Sequence, residues 1–298
     1  MHKPVLLNEV LQFAAPTAPK WILDATFGRG GHTRALMEAH PDAKVIALDQ
    51  DAAAVEYAKT SFAAPIAAHR LHVEHFNFHN ISQLPNKPPE GFDIILLDLG
   101  VSSPQLDEAE RGFSFYNDGP LDMRMNQEQD LTAAEVINTW SEVELLALFQ
   151  KYGEVRRPQR VVRAIVNDRK EKPYQTTREL ASLIERVEGW RKKGHHPATQ
   201  YFLALRMAVN NELSGLESCI PDLMRALSAK GRLIIITFHS LEDRIIKYAF
   251  REAKELGFPL TKKVVIPSDE ETETNPRARS SKLRVFQRGN SDEPAAFE

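Results

Sequence analysis

The sequence predicts an α/β fold, a Rossmann-like doubly wound sheet interrupted by an inserted helical domain. Three observations predict it. Short apolar runs recur between Trp21 and Asp98, and three of them end in a carboxylate, at Asp24, Asp49 and Asp98. A glycine turn, Gly28-Arg-Gly-Gly31, follows the first run and opens a helical pattern. From Pro104 to about His196 the strand signal stops, and it resumes near Gly231.

Ile22–Thr26 and Val45–Asp49 read as the first two strands, Arg70–Glu74 as a weaker third and Phe92–Asp98 as the fourth. Near-continuous apolar runs suit parallel strands buried on both faces. Helical patterns at Thr33–Ala39 and Ala52–Ser61 lie between them and complete a βαβ alternation. In the middle block, Thr132 and Glu135 have the spacing of a capping box ahead of an apolar helix. Further helices are expected at Glu142–Tyr152, Pro158–Arg169 and Thr177–Glu188. Pro197 opens a helix with Phe202, Leu205, Val209, Leu213 and Leu216 at helical spacing, and another helical stretch runs to Ala229. Gly231–Phe238 reads as a buried strand. Thr261–Ile266 and Lys282–Phe286 read as a closing hairpin-like pair, with Ser268–Ser281 a polar loop between them. The expected organisation is 1–103 and 197–298 as two parts of one α/β domain, with 104–196 inserted.

Composition removes several function classes. The chain has 298 residues, 42% of them hydrophobic and 27% charged, enough to bury a core and remain soluble. A single cysteine, Cys219, rules out a disulfide framework and a thiolate metal cluster. The first residues lack a cationic segment followed by a long apolar run, so no secretory leader is expected. No apolar stretch approaches the roughly 20 residues that span a bilayer. A cytoplasmic protein with no membrane contact is the expectation. The formal net charge of -3 is unremarkable, but its distribution is not. Between Lys151 and Lys193 there are 13 Lys/Arg against 6 Asp/Glu, a basic stretch in an otherwise balanced chain.

A glycine turn after a first strand, with an acid closing the second, points to a nucleoside-containing cofactor. The glycines let the backbone turn tightly and a ligand approach, and the acid accepts from ribose hydroxyls. A dinucleotide dehydrogenase needs G-x-G-x-x-G, and position 33 is threonine. Asp24 also stands where such a strand is usually apolar. An acid there suits a cationic ligand, and the ammonium and sulfonium of S-adenosylmethionine supply two positive charges. The alternative is that the glycines only make a tight turn and the acids only cap helices.

Several longer motifs carry a resemblance to a known family. They are Gly28-Arg-Gly-Gly-His-Thr33, Asp98-Leu-Gly-Val-Ser-Ser-Pro-Gln105, Arg111-Gly-Phe-Ser-Phe115, Asp118-Gly-Pro-Leu-Asp-Met-Arg-Met125, His196-Pro-Ala-Thr199, Phe238-His-Ser-Leu-Glu-Asp-Arg244 and Asn275-Pro-Arg-Ala-Arg-Ser-Ser281. Together they resemble the MraW/RsmH family over nearly the whole chain. That resemblance implies a class I, S-adenosylmethionine-dependent methyltransferase sheet. It also implies methylation of N4 of a cytidine in the decoding region of 16S rRNA in the small (30S) ribosomal subunit. It places cofactor contacts on Gly30, Gly31, His32, Asp49, Phe78, Asp98 and Gln105, with Phe78 flanking the adenine; plain core packing is the alternative for Phe78. Ala25 departs from the family's usual glycine, and the loop before Asn275 is short.

Methyl transfer from a sulfonium is an in-line displacement, so the enzyme mainly aligns donor and acceptor, and no metal is required. Many amino-methyltransferases follow the fourth strand with an Asp or Asn, prolines and an aromatic. This chain has Asp98-Leu-Gly-Val there. Asp98 or Asp122 is the candidate to accept from N4, with Ser102 and Ser103 as further base contacts. His239, after the fifth strand, is a candidate to orient the base or accept its proton, or else a structural hydrogen-bonding residue. His69, His72, His75 and His79 invite a metal reading, but they alternate faces on a strand and no cysteine joins them. Arg156, Arg157, Arg160, Arg163 and Arg169 with Arg191–Lys193 form one candidate RNA-phosphate surface. The spacing of 156, 160 and 163 puts three arginines on one helical face. Arg277, Arg279, Lys282, Arg284 and Arg288 form a second, with no acid among them. A homodimer is compatible with the sequence. The rival readings are a DNA or protein methyltransferase and a non-catalytic RNA-binding or ribosome-assembly factor.

Overall fold

The computed structural model describes residues 3–189 and 196–289. Seven strands, β1 (Trp21–Asp24), β2 (Lys44–Asp49), β3 (Leu71–His75), β4 (Phe92–Asp98), β5 (Leu227–Thr237), β6 (Gly257–Pro259) and β7 (Lys282–Arg288), form one sheet. Their order is β3-β2-β1-β4-β5-β7-β6. The first five are parallel, and β7 runs antiparallel to both β5 and β6. The order reverses beside β1, so β1 and β4 meet at the switch point where open α/β sheets bind ligands.

Strand alternation sends every second side chain to the same face. Ile22, Val45, Ala47, Ile94, Leu96, Ile234 and Ile236 pack on one side. There they meet α1 (Leu7–Ala14), α2 (Gly31–Ala39) and α3 (Ala52–Ser61), with the short α4 (Ala63–Ala67) following. Leu23, Ile46, Leu48, Ile95, Leu97, Leu233 and Ile235 face the other way. They meet α11 (Glu212–Arg225) and α12 (Ser240–Glu252). Ile94–Leu97 and Leu233–Ile236 are wholly buried, and each such side chain contributes about 1.5–3 kcal/mol.

Residues 101–212 form a second compact unit; the first comprises residues up to Gly100 together with Leu213 onward. The second unit holds α5 (Ser103–Asp107), α6 (Ala133–Thr139), α7 (Glu142–Lys151), α8 (Gln159–Asp168), α9 (Thr177–Glu188) and α10 (Thr199–Val209). Its own core includes Val136, Leu148, Phe149, Ile165, Leu180, Ile184, Tyr201 and Leu205. Helix α10 therefore packs within this unit, although the sequence grouped it with the second part of the α/β domain. Thr132 caps α6 through Glu135 N at 3.1 Å. Complete capping boxes start α7 at Ser141/Glu144 and α9 at Thr176/Glu179.

Five features differ from the sequence reading. The helix expected from Pro197 to Leu216 breaks after Val209. Asn211 adopts φ 50°, and the buried Asn210 side chain bonds Met123 O and Met125 N instead of prolonging the helix. The helix expected to reach Ala229 ends at Arg225, because Leu227 already pairs with Phe92 in β5. The strand beside β7 is Gly257–Pro259, and Thr261–Ile266 contributes only the bridge Val265–Leu283. Ser268–Ser281 is not a loop: it contains α13 (Asp269–Thr274) and a 3₁₀ turn at Pro276–Ser280. Buried Glu271 anchors that segment by accepting from Leu6 N at 2.8 Å, and Asn275 donates to Lys3 O. Helix α1 itself had no counterpart in the reading.

Candidate active site

The carboxyl edge of the sheet is assembled from backbone upward. After β1 the chain turns through Gly28 (φ 55°) and Gly30 (φ 68°) and enters α2 at Gly31. A Cβ on Gly30 would lie 2.5 Å from the Phe62 ring and 2.6 Å from Phe27, so glycine is required by packing as well as by φ. Asp24 is buried and fixes the turn from within. It accepts from Thr33 Oγ1 at 2.6 Å and from Thr26 N at 3.2 Å. Thr26 Oγ1 in turn accepts from Asp98 N at 2.7 Å, tying the turn to the end of β4. Burial holds the Asp24 carboxyl above its ordinary range, opposed by the Thr33 hydrogen bond. Asp24, read from the sequence as an acid suited to a cationic ligand, is a buried latch beneath the turn, at 1% exposure and bonded to the turn itself.

Asp49 lies at the end of β2 and braces the same turn. Its Oδ2 accepts from Gly28 N at 2.7 Å and its Oδ1 from Asp51 N at 2.9 Å. Each carboxylate oxygen can accept twice, so these bonds fix the group and leave one position on each oxygen. That is the donor-accepting geometry a ribose diol needs. Burial pushes the carboxyl up to about 6, against the two backbone hydrogen bonds that lower it.

His32 occupies the first turn of α2 and is 6% exposed, yet neither ring nitrogen makes a hydrogen bond among the described residues. Its Nε2 sits 3.5 Å from Asp98 Oδ2, and Asp98 Oδ1 also lacks a partner. Three orphaned polar atoms in one place are rare in a folded chain and mark a ligand position. With the open positions on Asp49, this donor set fits a ligand that carries both a ribose and positive charge.

A model of the MraW methylase family matches residues 1–289. The chain belongs to that family. It is similar to the ribosomal RNA small subunit methyltransferase H of Bdellovibrio bacteriovorus, with 57% identity over 295 residues, covering 98% of this chain and 89% of the relative. The Crocosphaera subtropica protein of the same name is 47% identical, covering 97% of this chain and 89% of the relative. Among solved structures, an rRNA methylase from Streptococcus thermophilus matches 97% of this chain and 98% of its own length, at 11% identity and TM-score 0.46. The N-methyltransferase NodS of Bradyrhizobium japonicum in complex with S-adenosylhomocysteine matches 95% and 86%, at 8% identity and TM-score 0.43. Membership of that family makes the chain an S-adenosylmethionine-dependent methyltransferase, and its own strand order, β3-β2-β1-β4-β5-β7-β6, is the class I sheet.

The methylase places its remaining candidates unevenly. Gly31 packs against Pro4, whose Cγ lies 2.5 Å from where a Cβ would be, so that glycine answers a protein contact. Phe78 is 9% exposed and belongs to the core beside α11, with an edge-on contact to His79. Gln105, in the helical unit, is buried, and its Oε1 accepts from Ser102 N in the capping box of α5. Asp122 is gripped by Arg124. Its Oδ1 accepts from Arg124 N and Nε, both at 2.9 Å, and its Oδ2 from Nη2 at 2.8 Å. The pair holds the Arg124 guanidinium above its ordinary value. These three bonds engage Asp122 in its own loop and leave one acceptor position, on Oδ2, against a position on each oxygen of Asp49. His239 is the N-cap of α12: Nδ1 accepts from Leu241 N at 3.2 Å, and Glu242 accepts from Phe238 N and His239 N. The nitrogen that would take a proton is already an acceptor, so the structural role of His239 is the one the geometry favours.

The basic residues separate in the same way. Arg156, Arg157, Arg160 and Arg163 are all exposed, but α8 begins at Gln159, so Arg156 and Arg157 precede the helix and do not share its face. Arg163 approaches Glu142 at 3.7 Å, and Arg169 donates to Ile137 O. Arg277 and Arg279 are exposed on the 3₁₀ turn. In the same cluster Arg284 and Lys282 pair with Asp243, and Arg288 donates to Arg225 O and Leu227 O. Asp243, forty-one residues from Arg284 in sequence, is the acid that the linear reading missed. Arg191–Lys193 lie outside the described residues. Of the histidines, His72 meets Glu74 at 2.5 Å, His75 meets Gln50 O at 3.0 Å, and burial lowers His79 to about 4 beside Gly215. No helix among the described residues is long and apolar enough to cross a membrane.

Proposed function

We propose that this methylase methylates N4 of a cytidine in the decoding region of 16S rRNA within the small ribosomal subunit. The observation that carries the reading is the paired set of ligand-ready carboxylates, Asp49 and Asp98, at the switch point of a class I sheet. The near full-length likeness to proteins named ribosomal RNA small subunit methyltransferase H supports the substrate.

The cofactor supplies an electrophilic methyl group on a sulfonium. Gly30 and Gly31 give it a close backbone approach, Asp49 accepts from the ribose hydroxyls, and His32 and Asp98 border its charged end. Phe78 flanks the adenine, and Gln105 is a further cofactor contact. Asp98 accepts a hydrogen from the amino group, holding N4 in line and concentrating its lone pair toward the methyl group. The helical unit grips RNA through Arg156, Arg157, Arg160 and Arg163, and the α/β unit adds Arg277 and Arg279. Labelled methyl transfer should reach 30S particles and pass over duplex DNA and free protein. Label on DNA or protein instead would point to a different amino-methyltransferase, and no label with intact cofactor binding would point to a non-catalytic assembly factor.

A further inference from the structure

We propose that His32 is a positioning residue that receives, through Asp98, the proton released from the methylated amino group. The inference rests on the reading of Asp98 as the acceptor at N4. Methyl transfer forms an N–CH3 bond as the S–CH3 bond breaks, and the nitrogen, having spent its lone pair, must lose a proton to regain it. Asp98 Oδ1 is buried and has no hydrogen-bond partner among the described residues, while Oδ2 lies 3.5 Å from His32 Nε2. The proton moves from nitrogen to the carboxylate and from the carboxylate to the imidazole, which then carries it. Catalytic hydrogen bonds are commonly long in a ligand-free protein and tighten on binding.

The surroundings of the ring suit this role. Both nitrogens are buried and make no hydrogen bond, unlike those of His239, where Nδ1 is committed to a cap. A purely structural buried histidine satisfies at least one nitrogen as a rule, because an unpaired buried polar atom destabilises the fold. Asp24, at the end of β1, lies near enough for His32 and Asp98 both to act on its charge. Helix α1 and strand β2, which also pack on α2, carry Glu9, Lys44 and Asp49. No base is needed beyond these groups.

The test compares wild type, His32→Gln and Asp98→Asn. His32→Gln keeps a hydrogen-bonding side chain but cannot take a proton. At saturating cofactor the relay predicts a fall in kcat of about tenfold or more and loss of the acid limb of the wild-type kcat–pH profile, whatever the change in S-adenosylhomocysteine affinity. In ¹⁵N-histidine-labelled protein without ligands, Asp98→Asn should move the Nε2 signal of His32 and leave the Nδ1 signal in place. The proposal is overturned if His32→Gln weakens S-adenosylhomocysteine binding while kcat and its pH profile match wild type, since His32 then only holds the cofactor. It is equally overturned if the Nε2 signal ignores Asp98. Failure of the wild type to methylate cytidine N4 is a separate outcome, which removes the substrate reading on which the relay rests.

Discussion

Asp49 gives the residue scale its clearest consequence. Burial raises its carboxyl from 3.8 to about 6, so the folded chain holds that proton more tightly than the unfolded chain does. Its contribution to fold stability is present below the unfolded value and is lost as pH rises through about 6. Cofactor binding runs the other way, because ribose hydroxyls donate to the ionised form. Calorimetric titration with S-adenosylhomocysteine should show full affinity above pH of about 7 and weaker binding as pH falls through about 6, with Asp49→Asn weak and flat across that range. Asp122 makes the opposite case. Its fork with Arg124 closes the 122–129 loop, where Arg124 also donates to Gln127 O and Gln129 O. Asp122→Asn should cost about 1–3 kcal/mol in denaturant unfolding and leave kcat at saturating substrate near wild type. A large loss of kcat with unchanged stability would restore Asp122 to the chemistry. The Asp122 role is not visible in sequence, where an acid two residues before an arginine in a loop reads as easily as a free carboxylate.

At the scale of elements, strand identity was legible and strand ends were not. The runs at Ile94–Leu97 and Leu233–Ile236 are buried on both faces, and their apolar continuity announces it. Residues 226–230 are small and polar enough to extend a helix, yet Leu227 and Ser228 sit in β5, with Ser228 Oγ donating to Asp93. A three-residue edge strand ending in Pro259 carries almost no pattern; it is defined by Gly257, whose Cβ would lie 2.1 Å from Gln287 O. The start of α12 tests the same distinction between scaffold and chemistry. His239→Ala removes an N-cap and should cost about 0.5–2 kcal/mol, while His239→Asn, a good cap, should recover most of it in thermal unfolding. If His239→Asn stays folded but loses about a hundredfold or more in kcat, the residue acts on the base and not on the helix.

For the whole molecule, the sequence located the α/β and helical blocks because their hydrophobic periods differ. It misplaced the return to the α/β unit because α10 is helical on either reading, and only its burial among Phe149, Leu145 and Ile184 assigns it. The strand–turn–helix that opens at Gly28 was legible through its glycines and acids, while the inner role of Asp24 was not, since burial is a property of the folded chain. RNA binding belongs to this scale as well. Replacing any one of the exposed Arg156, Arg157, Arg160 or Arg163 by Ala should lower the slope of log affinity against log salt by about one without altering sequence preference. Arg284→Ala, whose partner is Asp243, should leave that slope unchanged. The account meets its most direct test in the product. Small subunits carrying unmodified rRNA are treated with enzyme and labelled S-adenosylmethionine, and the RNA is digested to nucleosides and analysed by mass. The account predicts label in N4-methylcytidine from the decoding region of 16S rRNA; label in any other nucleoside, or on ribosomal protein alone, contradicts it.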